Sequence, residues 1–90
     1  MRQTYEHHPG RQRDEAFRTA TFAGATLMFA EQAFGLASCP TGGFDPDGVV
    51  REFALGPQEI PVMLLAVGHG AADNWPPKPR RPVTEVLDLA

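Results

Sequence analysis

Residues 39–48 read CPTGGFDPDG, and their reading decides how the chain on either side is arranged. Two prolines, three glycines and two aspartates stand here between two apolar runs. The second half explains itself. Asp45 before Pro46 is a helix start, a carboxylate at the N-cap followed by a ring that pre-sets φ at the first helical position. Phe44 and Val49 then have the N′ and N4 spacing of a hydrophobic staple. Thr41, Gly42 and Gly43 are not explained by that helix. Adjacent glycines serve either a tight turn through positive φ or the close approach of another group to bare backbone. A turn without a ligand is the plainer reading, and only the rest of the chain can displace it.

On the N-terminal side, Asp14 can cap a helix predicted over residues 14–34. Gly35 falls at C′, and Leu36 supplies the hydrophobic contact of a Schellman-type end. Phe17, Ala20, Gly24, Leu27, Glu31 and Phe34 follow helical spacing. Ala16, Ala20, Ala23 and Gly24 form a ribbon of small residues that lets another helix come close. Phe22, Met28 and Phe29 carry apolar surface onto the other faces. A helix apolar nearly all round is expected to be buried on several sides. Ninety residues supply few elements to bury it, so cover from another chain is expected. Residues 1–13, with His7, His8, Pro9 and Gly10, read as a flexible polar lead to a partial domain over 14–90. The histidine pair has no further metal ligand near it in sequence and reads as solvated.

On the C-terminal side a second, short helix is predicted over residues 46–55, with Val49, Val50 and Phe53 inward and Gly56-Pro57 ending it. Residues 60–67, IPVMLLAV, are a continuous apolar run of strand length, the pattern of a central strand covered on both faces. Residues 38–41 offer a second short strand. Residues 74–82, NWPPKPRRP, impose an extended polyproline-like arm. The closing VTEVLDL suits an edge strand or a short helix equally. The fold class expected is therefore α+β.

Composition bounds the function. A chain of 90 residues is one domain at most and buries only about 60–65% of its unfolded surface. Nine glycines and nine prolines leave a thin core, although 42% hydrophobic residues is too many for a disordered chain. A net charge of −3 argues against nucleic acid or an anionic membrane as the main partner. The single Cys39 excludes an intrachain disulfide and a cysteine-rich metal site. No signal-peptide pattern is seen, and the longest uncharged run, residues 19–30, is too short to span a bilayer. A cytoplasmic protein is expected.

No nucleophilic triad is evident. Ser38 and Cys39 read as buried small residues rather than nucleophiles, and His69 as a strand-end residue rather than a base. Gly42-Gly43 lacks the third glycine of a dinucleotide fingerprint. The Lys78-Pro79-Arg80-Arg81 cluster says more, because lysine brings a point charge and arginine a planar fork suited to phosphate. Read alone, it is more plainly a solvated patch, and Trp75 before it covers an apolar surface or anchors the arm.

Three motifs in register carry a resemblance: ATLMFAEQAFGLASCPTGGFDPDGVVREFAL, then IPVMLLAVGH, then NWPPKPRRPVTEVL. Together, over residues 16–90, they resemble the C-terminal half of the FMN-dependent nitroreductase family. The resemblance implies a long buried helix, a short helix, a central strand and an extended C-terminal arm. It implies hydride transfer from NAD(P)H through FMN to a nitroaromatic, quinone or similar small-molecule acceptor. Pro40, Thr41, Gly42 and Gly43 would lie along the flavin ring edge, with the Gly42 N–H reaching N5. Lys78 and Arg80 would contact the FMN phosphate, while Arg81 would be solvated. It also implies a homodimer with the flavin at the subunit interface. The family's N-terminal half, with its phosphate-holding arginine and serine and an amide side chain at the ring, is not evident. The expected active form is thus a homodimer or a pairing with a complementing N-terminal half. The alternative is a flavin-free remnant, a dimerisation or interaction module; a simple anion-binding protein using residues 78–81 stands third.

Overall fold

The structure is a computed structural model that describes residues 2–90. Its elements run α1 (Arg2–Tyr5), α2 (Pro9–Ala33), β1 (Ala37–Thr41), α3 (Pro46–Glu52), β2 (Leu64–Gly68) and α4 (Val83–Val86). Helices with a small antiparallel sheet make this an α+β arrangement.

α2 begins five residues earlier than Asp14 predicts, at Pro9. Proline is at home there, since its missing N–H falls where a helix start has no partner for one. The polar residues 9–13 are thus the first turn of the long helix, and Arg2–Tyr5 add a short helical turn before it. The C-terminus follows the expected motif. Gly35 takes φ +72, its N–H donates to the Gln32 carbonyl at 3.0 Å, and the Leu36 N–H donates to the Glu31 carbonyl at 3.1 Å.

The start of α3 is also as expected. Asp45 is the N-cap, its Oδ1 accepts from the Asp47 N–H at 3.2 Å, and Pro46 opens the helix. The third glycine of the opening stretch finds its reason here. A Cβ on Gly48 would stand 2.8 Å from Asp45 Oδ2, so the bare backbone leaves the capping carboxylate its place. The other end departs from expectation: α3 stops at Glu52, not at residue 55. Ala54 adopts φ 51 and takes the C′ position, with its N–H donating to Arg51 at 3.4 Å and the Leu55 N–H donating to Val50 at 3.0 Å. The C′ position of this Schellman pattern thus falls two residues before Gly56. Because an L-residue in this conformation carries a steric cost, Ala54→Gly is expected to stabilise the chain by about 1 kcal/mol. A thermal midpoint unmoved or lowered in that variant would contradict it.

β1 and β2 pair antiparallel in the register Ala37↔Gly68, Ser38↔Val67, Cys39↔Ala66, Pro40↔Leu65 and Thr41↔Leu64. The expected central strand is corrected in two ways. It covers only Leu64–Gly68, and it has one neighbour, so it is half of a two-stranded sheet. Pro61 lacks a donor, and β1 offers only five residues to pair with. The segment before β2 packs instead on α2. A Cβ on Gly24 would lie 2.7 Å from Met63 Sδ, so the glycine lets this methionine approach the helix backbone.

Within this chain the long helix is not buried, in keeping with an expected cover from another chain. Among the described residues no apolar side chain is fully buried, and Phe22 and Phe29 of α2 are 72% and 77% exposed. The chain's own elements cannot cover three faces of a 25-residue helix. The radius of gyration, 17.2 Å, exceeds the roughly 12 Å of a compact domain this long. Light scattering at micromolar concentration is therefore expected to give at least twice the 9.8 kDa chain mass. A stable, compact monomer would refute this. Among the described residues the one buried side chain is Glu31, 5% exposed, and its Oε2 has no hydrogen-bond partner there. Burying a carboxylate without a donor is costly.

After β2 the chain runs without regular structure through residues 74–82 and then forms α4. This resolves the ambiguous VTEVLDL segment as a single helical turn. Pro82, at φ −57 and ψ 147, has the polyproline conformation expected of the arm.

Candidate functional site

Pro40 and Thr41 are not turn residues: they are the last two positions of β1, both exposed. Gly42 and Gly43 follow the strand and connect it to the staple at Phe44 and the cap at Asp45. Neither glycine has a positive φ; Gly35 is the one such glycine among the described residues. A Cβ built on either would meet nothing within 4 Å. The conformation therefore does not demand glycine here, nor does any neighbouring atom of this chain. The bare backbone stands open on the outside.

Lys78 and Arg80 lie exposed on the arm, and neither is in an ion pair among the described residues. Arg81 is exposed as well, and its Nε donates to Glu85 Oε2 at 3.2 Å, one helical turn on. Two of the cluster's three cations thus remain free to meet an anion. Trp75 covers nothing in the chain and is 95% exposed.

Two open hollows among the described residues lie away from these groups. One open hollow, of about 570 Å³, lies between α1 and α2 and is lined by Tyr5, Gln12, Glu15, Ala16, Thr19 and Ala20, with Ala23. The small-residue ribbon of the helix forms its floor. The other, of about 360 Å³, lies at the far end of the sheet, with Ser38, Cys39, His69 and Asn74 on its wall. Neither hollow is lined by Gly42, Gly43, Lys78 or Arg80. Ser38 is half-buried, whereas Cys39 is an exposed thiol rather than a buried small residue. His69 follows the end of β2 and is exposed. Among the described residues no three His, Cys, Asp or Glu side chains come together as a metal site. Among the described residues no helix is long and apolar enough to cross a membrane.

Two features escaped the sequence reading. Glu31 was legible only as a charge inside an otherwise apolar helical stripe. Ala54 gave no signal at all, since alanine rarely marks a left-handed position.

Comparison with known proteins gives the family. Residues 1–69 match the Nitroreductase family. The chain belongs to that family, and the likeness reaches through α1 and the first turns of α2, where the motifs alone pointed no earlier than residue 16. It is 38% identical over 56 residues to "Putative NAD(P)H nitroreductase YodC" of Bacillus subtilis, covering 62% of this chain and 28% of that protein. It is 36% identical over 75 residues to "Protein DrgA" of Synechocystis sp., covering 77% of this chain and 33% of that protein. With "Putative NADH dehydrogenase/NAD(P)H nitroreductase Smlt0482" of Stenotrophomonas maltophilia it shares 33% identity over 78 residues, 86% of this chain and 40% of the relative. The chain thus spans about a third of the length of these relatives. No solved structure matches it.

Proposed function

We propose that this chain forms one edge of an FMN site in an NAD(P)H-dependent oxidoreductase, and corresponds to the C-terminal half of the nitroreductase fold. The observation that carries the reading is the glycine pair after β1. Gly42 and Gly43 need neither positive φ nor space within the chain, so the absence of side chains there serves something that approaches from outside. A flat ring laid along the backbone is such a group. The chemistry of the donor set also fits: bare N–H groups at the turn, and an unpaired ammonium and guanidinium on the arm suited to a phosphate. Bound FMN would supply hydride transfer between NAD(P)H and a small nitroaromatic or quinone acceptor. The chain's residues would position it. Pro40 and Thr41 would hold the turn at the end of β1, the Gly42 N–H would donate to the ring edge at N5, and Lys78 and Arg80 would hold the phosphate. No side chain of the site is assigned as acid or base. We place the protein in the cytoplasm.

The proposal includes a partner, because neither hollow unites the turn and the arm. A second copy docking on α2, or a complementing N-terminal half, would bring them to one flavin. The test is a flavin-fluorescence titration of the chain alone and after refolding with the N-terminal part of a full-length relative. Weak binding alone and recovered binding in the complemented sample are expected. Equal absence of binding in both would sink the flavin reading. It would then favour a flavin-free interaction module, for which the uncovered apolar surface of α2 already speaks.

A further inference from the structure

Residues 60–63 lead into β2 without regular structure and make no backbone-to-backbone hydrogen bond among the described residues. Pro61 has no N–H to give. Such a segment is placed by its side chains, and Met63 supplies its contact with α2. A Cβ on Gly24 would stand 2.7 Å from Met63 Sδ and 3.0 Å from Cε, so the thioether lies on bare helix backbone. Gly24 and Met63 are both half-buried, whereas Phe22 and Phe29 of the same helix are exposed. Both sides of the contact belong to this chain, so it stands whatever covers the outer faces of α2.

A thioether in this place is open to one reaction. Its sulfur attacks an oxygen of a peroxide and the O–O bond breaks. The transferred oxygen stays on sulfur as a sulfoxide, and its proton leaves with the other oxygen as water or an alcohol. Sulfur gives up two electrons and the peroxide takes them. The product is chiral and polar where the thioether was flexible and apolar. Its new oxygen needs a donor, and α2 has none to offer. The Gly24 N–H is committed to the carbonyl one turn back, as in any helix interior. Thr21 and Thr26, the hydroxyls that flank Gly24 in sequence, donate to the Phe17 and Phe22 carbonyls at 2.7 and 2.8 Å. A sulfoxide left there without a donor is costly, so the segment must lift away from the helix to solvate it.

We infer that Met63 is a modification site for peroxides, and that its oxidation unlatches the entry of β2 from α2. The β1–β2 ladder keeps its own backbone bonds, so the seat of the strand loosens and the pairing remains. The inference does not depend on the flavin reading.

The test treats the chain and its Met63→Leu variant with dilute hydrogen peroxide. Peptide mass spectrometry is expected to find one added oxygen on Met63 of the wild type. Its thermal midpoint is expected to fall by at least about 4 °C, a shift of the size one lost packing contact gives in so small a domain. Met63→Leu, which keeps Met28 and the exposed Cys39 thiol, is expected to hold its midpoint. An oxidised wild type that melts where the untreated one does would overturn the inference. So would a Met63 that stays unmodified where free methionine is fully oxidised, or a leucine variant that loses as much. Methionine sulfoxide reductases A and B, one for each epimer, decide even where the variant fails to fold. They are expected to restore the wild-type midpoint as the oxygen leaves Met63, and removal of that oxygen without recovery would overturn the inference.

Discussion

Arg80→Ala is expected to weaken FMN binding by about 1.5–3 kcal/mol, the cost of a lost hydrogen bond to a charged group and a ten- to hundredfold rise in Kd. The expectation rests on a guanidinium that is exposed and unpaired, on an arm whose prolines limit its freedom. Arg81→Ala is the built-in comparison. Its guanidinium already meets Glu85 at 3.2 Å, so its loss should leave flavin affinity nearly unchanged. Both variants are to be titrated in the complemented sample, where binding is measurable. If the two arginines are lost at equal cost, the phosphate sits elsewhere or is held by charge alone. If neither loss matters, Lys78 and Arg80 have no part in the site.

Gly42→Val separates the remaining alternatives at the turn. Were the glycine needed for the turn, valine would cost stability through a disallowed φ. The structure removes that ground, since Gly42 has no positive φ and its missing Cβ would meet open space. The thermal midpoint of the free chain is therefore expected to change by no more than about 0.5 kcal/mol equivalent, as for an ordinary surface substitution. Flavin affinity in the complemented sample is expected to fall at least about tenfold, because a branched side chain would stand where the ring must approach the N–H. Lost stability with unchanged affinity would return Gly42 to a structural role. Retention of both would leave the glycine pair without a function.

Local chemistry was legible where one or two residues settle it. Asp45-Pro46 starts α3, Gly35 ends α2, and residues 37–41 form the second strand because each is a short-range matter of caps, φ and pairing. Statements about cover reach beyond the chain itself. Residues 60–67 look like a strand buried on both faces, and residues 14–34 like a helix buried on several. Both patterns report the surroundings in which a sequence is stable, and this chain does not by itself supply them. Hence β2 is short and one-sided, and Phe22 and Phe29 face outward. The candidate site shows the same division. The bare turn could be anticipated from two glycines, and the free cations from one tripeptide. Where the two stand relative to one another is a matter of long-range packing that no short motif encodes, and neither hollow unites them.

The uncovered face of α2 has a consequence for how long the molecule would persist in a cell. A 25-residue helix that displays Phe22, Leu27 and Phe29 offers chaperones and proteases what they recognise in an unfolded chain, even while its own backbone bonds are intact. Its abundance would then follow the supply of whatever covers that face. Copies made in excess of their cover would be triaged away, and covered ones would accumulate. A pulse-chase of the chain expressed with and without the complementing half would read this directly, as a half-life that lengthens with co-expression and shortens when Phe22 and Phe29 are left bare.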